Sequence, residues 1–237
     1  MTVYGGPHII TNELVLALDA GDVKSYPGDG SIWYDLCSNT LDASLILNPT
    51  FNSDKFVFNG INQYMDIGYE SILNMDTDDM TTSVWINPSI NTEYGCVYSK
   101  AVATAQFYRY ALWITPWQTL YAMVSWDNTA HTRYDSSTFI CDGNWKNVTT
   151  VYDRSDKLSI YINGILDFAW DISTYEGLDF VNINPFRIGA YTHGNNIIPL
   201  VNSYYKGDMS IYMHYKKALT QSEILQNYNA LKSRFGL

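Results

Sequence analysis

Basic residues are scarce in this 237-residue chain. Fourteen Lys and Arg face twenty-four Asp and Glu, for a formal net charge of −10, and no basic run occurs. Nucleic-acid affinity rests mainly on Lys and Arg that neutralise phosphates, so that class of partner is excluded. Glutamate is scarcer still. Only Glu13, Glu70, Glu93, Glu176 and Glu223 occur, the remaining nineteen acids being Asp. Asp favours turns and caps where Glu favours helices, which points to strands and loops. Three cysteines, Cys37, Cys96 and Cys141, are too few and too scattered for a disulfide scaffold, and no C-x-x-C pair offers a structural zinc site. No stretch approaches the roughly 20 apolar residues of a helical membrane span, so membrane insertion is not expected. The opening M-T-V-Y-G-G-P-H-I-I lacks the basic region and apolar core of a signal peptide. With an odd number of thiols, folding in a reducing cytoplasm is the simpler expectation.

What is abundant is aromatic and apolar. Aromatics reach 15%, with 20 Tyr, while 46% of residues are hydrophobic and 16% charged, which excludes a disordered or solvating segment. Tyr suits both half-buried sheet surfaces and binding faces. Strand-like segments follow one another: 13–19 (E-L-V-L-A-L-D), 55–60, 63–68, 81–88, V-Y-S-K, Y-R-Y-A-L-W-I, T-L-Y-A-M-V-S-W, 145–153, 157–164, 186–191 and 207–215. Asn59-Gly60 and Asn163-Gly164 are turn signals. About a dozen short strands at this spacing predict an all-β, two-sheet antiparallel sandwich. One helix is predicted at about 221–234: T-Q-S-E (220–223) fits a capping box, and Ile224, Leu225, Tyr228, Leu231 and Phe235 fall on one face. No repeat or linker divides the chain, so the expectation is one domain over 13–237 with residues 1–12 as an arm.

Taken in order, S-Y-P-G-D-G-S-I-W-Y-D-L, F-V-F-N-G-I-N-Q-Y-M-D-I-G, S-V-W-I-N-P, W-K-N-V-T-T-V-Y-D with L-S-I-Y-I-N-G, F-R-I-G-A-Y and the ending from G-D-M-S-I-Y-M-H-Y resemble the concanavalin A-like, laminin-G-like jelly-roll family over nearly the whole chain. In that family the W-x-D-L of Trp33, Asp35 and Leu36 is usually followed by Ser-Gly; here Cys37 and Ser38 stand there. The resemblance implies Trp33 and Leu36 packed inward and Asp35 bracing a turn through backbone amides. The missing glycine makes the usual turn geometry harder, because Ser38 adopts φ > 0 less readily. The opening M-T-V-Y-G-G-P-H-I-I-T-N-E-L-V-L-A-L-D-A is similar to laminin-G-like virion proteins of tailed bacteriophages. That implies a phage particle component assembled in host cytoplasm: a capsid decoration, head fibre or tail-appendage module. Its partners would be other virion proteins, host-surface glycans and, in an oligomer, copies of itself. The alternative is a cellular carbohydrate-binding lectin domain.

Glucanase relatives supply two carboxyl groups from one strand as E-x-D-x-E, and that motif is absent. Neither G-x-S-x-G nor a phosphate-cradling glycine loop occurs, and His8, His131, His193 and His214 lack metal-like spacing. No enzyme activity is expected. The resemblance implies two ligands. Many laminin-G-like domains bind Ca²⁺ near a rim, and Asp76, Asp78 and Asp79 offer oxygens there, although turn-capping aspartates are the plainer reading. Asp66 and Asp208 are further carboxylates that approach a rim. For sugar, W-I-T-P-W-Q-T-L-Y-A-M-V-S-W-D-N (113–128) offers Trp117, Tyr121 and Trp126, with Trp113 and Trp126 expected in the sandwich core and Trp117 on an apparent turn.

Overall fold

A computed structural model describes residues 7–101, 109–125, 132–181, 184–192 and 199–237. The β-branched and aromatic segments form sixteen strands among them. The first eight are β1 (Leu14–Asp19), β2 (Ile32–Trp33), β3 (Ala43–Ile46), β4 (Thr50–Asn52), β5 (Lys55–Asn59), β6 (Tyr64–Gly68), β7 (Met80–Pro88) and β8 (Gly95–Lys100). The rest are β9 (Arg109–Ile114), β10 (Leu120–Ser125), β11 (Thr132–Asp135), β12 (Lys146–Tyr152), β13 (Lys157–Ile162), β14 (Ile165–Asp171), β15 (Phe186–Ile188) and β16 (Lys206–Tyr215). One helix, α1 (Gln221–Leu231), ends in a 3-10 turn over Lys232–Phe235. One sheet runs β14-β13-β12-β7-β16-β5-β4, with β1 also on β16; the other runs β11-β10-β9-β8-β15-β6-β3-β2. All the strand pairs are antiparallel. This is the expected sandwich with its C-terminal helix.

Alternation along β7 sends Met80, Val84 and Ile86 into the core between the sheets and Trp85 to the outer side. Much of the tyrosine excess is core. Tyr98, Tyr110, Tyr152, Tyr205 and Tyr212 are buried between the sheets, where a phenol brings a large apolar body with a polar tip. Several of the tips find partners. Tyr98 Oη and Thr150 Oγ1 lie 2.6 Å apart, Thr82 Oγ1 donates to Tyr98 Oη at 2.8 Å, and Tyr110 Oη donates to the Leu73 carbonyl at 2.6 Å.

The outer side of the first sheet carries a second apolar layer. The Trp85 ring is stacked by Tyr228 of α1 and by Phe235, at 5.8 and 4.1 Å between centroids. The capping box forms as read: Thr220 accepts from the Glu223 amide, and Glu223 Oε2 accepts from the Thr220 amide at 2.8 Å. Ile224 is buried and Tyr228, Leu231 and Phe235 pack on the layer, but Leu225 lies at the margin of that face, 42% exposed. Residues 8–10 lie along α1, with the Ile10 amide on Asn227 Oδ1 at 2.7 Å and Gln226 Nε2 on the His8 carbonyl at 2.8 Å.

Trp33 is fully buried, edge-on to Phe56 at 5.1 Å. Asp35 braces the turn as expected: Oδ1 accepts from the amides of Ala17 and Cys37, both at 2.9 Å, and Oδ2 from Leu41 at 3.2 Å. Leu36, expected inside, is 42% exposed. The carboxylate closes onto the amide two residues on, which leaves Leu36 on the outside of the turn. Thr40, at φ 55°, takes the left-handed position, so Ser38 needs no positive φ. Burial, then the Asp35 charge, push the Cys37 thiol up to about 12, so it is a small apolar side chain rather than a nucleophile.

His214 is fully buried between the sheets, with Nδ1 3.3 Å from Tyr212 Oη. Burial, helped by the charges of Lys216 and Lys100, lowers its pKa to about 3. The unfolded chain binds this proton near pH 6.5 and the fold only near 3, so His214 costs stability as pH falls through that window, at up to about 1.4 kcal/mol per pH unit. Urea unfolding at pH 7.5 and 5 should show a larger loss for the wild type than for His214→Leu; equal losses would remove His214 as the cause.

Candidate functional site

Between β9 and β10 the chain turns through T-P-W-Q-T (115–119). Pro116 pre-sets the first corner, and the Gln118 amide bonds back to the Thr115 carbonyl at 2.9 Å. The Thr115 and Thr119 hydroxyls meet at 2.8 Å across the base, and Thr115 Oγ1 accepts from the Trp117 amide at 3.2 Å. Gln118 sits at φ 63°, a conformation that costs a non-glycine residue strain. Its amide side chain offsets that cost: Nε2 donates to the carbonyls of Asn91 and Pro116 at 2.7 and 2.6 Å, and Oε1 accepts from the Asn91 amide at 3.2 Å. The Ile140 amide also donates to the Gln118 carbonyl at 3.0 Å. Gln118 itself is buried. Trp117, between two fixed residues, stands 69% exposed. Two more exposed apolar side chains, Ile90 and Phe139, each neighbour a residue bonded to Gln118. The tip presents the Trp117 indole to solvent on a turn whose backbone is held by hydrogen bonds on both sides.

Four residues beyond Trp117, at the second position of β10, Tyr121 belongs to a different cluster. It pairs across the hairpin with Trp113, their rings near parallel at 5.7 Å, and Tyr94 meets both edge-on. The Arg133 guanidinium lies 4.4 Å from the Tyr121 ring, is held by both carboxylate oxygens of Asp135 and donates to Tyr94 Oη at 3.0 Å. Burial is the main influence raising the Tyr121 pKa. Tyr121 is therefore packed against a cation rather than presented as an open face. Trp113 is buried, but in this outer cluster with Met123 and Tyr191, not in the sandwich core where it was expected. Strand alternation explains this: Leu112 and Ile114 point inward, so Trp113 must point outward. Trp126 lies outside the described residues, as do His131 and His193.

The structure does bring two of the rim aspartates together, but onto an ammonium. Lys216 Nζ lies 3.3 Å from Asp76 and 3.1 Å from Asp78. Asp79 Oδ1 accepts from the Arg154 amide at 2.9 Å. The buried Arg154 guanidinium, over the Phe180 ring at 4.5 Å, donates to the carbonyls of Asp76, Tyr175 and Leu178. Cationic charge at this rim thus comes from two side chains of the protein. Among the described residues no group of three or more His, Cys, Asp or Glu converges as a metal site would. Asp66 pairs with Arg187 at 3.1 Å and Asp208 with Lys55 at 2.6 Å. Gln118, Arg133 and Arg154 were missed from the sequence because each acts through long-range partners that no local pattern marks.

The two-sheet frame has relatives. A family model of the concanavalin A-like lectin/glucanases superfamily matches residues 59–225. The chain belongs to that superfamily. No curated protein matches it in sequence. Among solved structures it is similar to the binding domain of Paraclostridial Mosquitocidal Protein 1, with TM-score 0.69 and 16% identity over 92% of this chain and 52% of that one. It is similar to the botulinum neurotoxin serotype D ligand binding domain in complex with N-acetylneuraminic acid, with TM-score 0.63 and 14% identity over 91% of this chain and 50% of that one. It is also similar to Trypanosoma rangeli sialidase in complex with sialic acid, with TM-score 0.69 and 14% identity over 98% of this chain and 35% of that one. At these identities the likeness is one of fold. The chain spans about half the length of the two toxin domains and about a third of the sialidase.

Replacing Gln118 by Ala removes three hydrogen bonds while keeping the left-handed backbone. The expected loss is about 1–3 kcal/mol in chemical denaturation, with the hairpin amides exchanging faster with solvent. An unchanged unfolding midpoint would show that the clamp does not fix the tip.

Proposed function

We propose that this superfamily member is a non-enzymatic carbohydrate-binding module whose primary contact is Trp117. The observation that carries the reading is a large ring, 69% exposed, on a turn whose neighbours are locked by Gln118. An exposed indole in water is an unfavourable surface, and fixing it in advance lowers the ordering cost of stacking a sugar ring on it. Tyr121 contributes from behind, by holding the outer cluster together. The superfamily description, and a fold neighbour solved with N-acetylneuraminic acid, support a saccharide as the ligand class.

Non-enzymatic action is supported by the absence of the E-x-D-x-E strand that gives glucanases their carboxylate pair. The finer reading is a host-adhesion domain on a phage particle, as a capsid decoration or tail appendage. It is supported by the resemblance of the opening twenty residues alone.

On a glycan array the wild type should bind a restricted set of glycans, and Trp117→Ala should lose about tenfold or more in affinity with its unfolding midpoint unchanged. A silent wild-type array, or an unaffected variant, would overturn the reading. For the particle context, mass spectrometry of purified virions should detect the chain at many copies, and its absence would remove that context.

A further inference from the structure

A polar recess lies on the opposite sheet from the Trp117 hairpin. On the outer face of β12 and β13, Val151 stands opposite Ser159, and Tyr161 is the next residue on that face, opposite Thr149. The segment entering α1 crosses over them. Its position is fixed by the Leu219 amide on Thr81 Oγ1 at 2.9 Å and by Gln221 Nε2 on the Gly164 carbonyl at 2.7 Å. Between the two runs lies a cleft of about 210 Å³, lined also by Asp153 and Asp156 of the β12–β13 turn and by Lys157 at the start of β13. That is many times the roughly 10–15 Å³ that one water needs, which leaves room for a small polar ligand such as a sugar ring.

Its chemistry is divided. The floor, Val151 and Leu219, is apolar and buried, and the half-buried Tyr161 ring extends it. Polar groups with spare capacity edge that floor. Asp153 gives Oδ1 to the amide and hydroxyl of Ser155, at 3.2 and 2.9 Å, while Oδ2 has no partner among the described residues. The Ser159 hydroxyl is engaged by the Tyr161 phenol beside it, which leaves Asp153 Oδ2 as the open acceptor. Asp156 holds Lys157 at 3.3 Å, with both side chains more than half exposed. A pyranose has this same division: a C–H face for the floor and a rim of hydroxyls that donate to carboxylates and accept from an ammonium. Two carboxylates against one ammonium leave the cleft net negative, which repels a sugar that carries its own carboxylate.

We propose that this cleft is a second saccharide subsite that takes a neutral hexopyranose and rejects sialic acid. The inference rests on the carbohydrate-binding reading above but not on Trp117. The test is a ¹H–¹⁵N NMR titration of the full chain with methyl mannoside, methyl galactoside, methyl glucoside and N-acetylneuraminic acid. At least one neutral methyl glycoside should move amides of residues 151–161 and 218–221 saturably, with Kd on the order of millimolar, and N-acetylneuraminic acid should not. Asp153→Asn keeps the acceptor for Ser155 and should weaken that binding about tenfold, because a charge-assisted bond becomes a neutral one. Trp117→Ala should leave these shifts intact. No response to any neutral glycoside, binding of N-acetylneuraminic acid in the cleft, or indifference to Asp153→Asn would each overturn the subsite. A Trp117-dependent array signal beside a silent cleft would overturn the subsite alone. A responsive cleft beside a silent array would overturn the Trp117 reading alone.

Discussion

The last strand, β16, is the member on which both apolar layers depend. It hydrogen-bonds to β7 along most of its length, to β5 at its start and to β1 at its end. Its alternate residues serve different layers: Met209 and Tyr212 enter the sandwich core, while Ile211, Met213 and Tyr215 meet Trp85 and α1 outside it. A register shift at Ser210 inverts the alternation, so that Met209 and Ile211, two residues apart, serve opposite layers, and the Ser210 hydroxyl donates to the Asp54 carbonyl at 2.6 Å. Slipping β16 by one residue would exchange the two layers, so its register fixes the whole molecule.

That division of labour separates the frame from the Trp117 tip and from the recess beside α1. Because α1 and the outer layer cover part of the first sheet, the recess beside α1 is set by helix placement. The Trp117 tip, by contrast, is set by a hairpin of the second sheet and one crosslink to the 91 loop. The two features share no element, so each can be altered without the other. The second sheet's outer cluster of Tyr94, Trp113, Tyr121 and Arg133 supports the hairpin from its side, where ring and guanidinium packing add stiffness beyond the backbone ladder.

Much of the frame was legible because long strands advertise themselves. The stretches that became β1, β7, β12, β13 and β16 carry β-branched runs or alternation, and the helix start carries a complete capping box. β2, β3 and β4 are two to four residues long, too short for a period to show. β14 escaped for another reason. It is an edge strand with Ile165, Leu166 and Trp170 exposed, so its hydrophobicity does not alternate with burial. At the site, the proline before Trp117 gave away an exposed turn. Tyr121 looked equivalent by residue type, and only the tertiary position of Arg133 distinguishes it. Leu36 was misplaced for the same kind of reason, because the Asp35 turn, and not hydrophobicity, decides which way it points.

The way Gln118 holds its turn has an evolutionary consequence. Every bond that shapes the tip is made by the backbone or by residues 91, 115, 118 and 119, and none uses the indole of Trp117. The residue at 117 is therefore free to change without disturbing the scaffold beneath it. On the carbohydrate-binding reading proposed above, a lineage can exchange that one side chain and retain the fold unaltered, so that what the tip contacts changes at a single codon while stability is inherited intact.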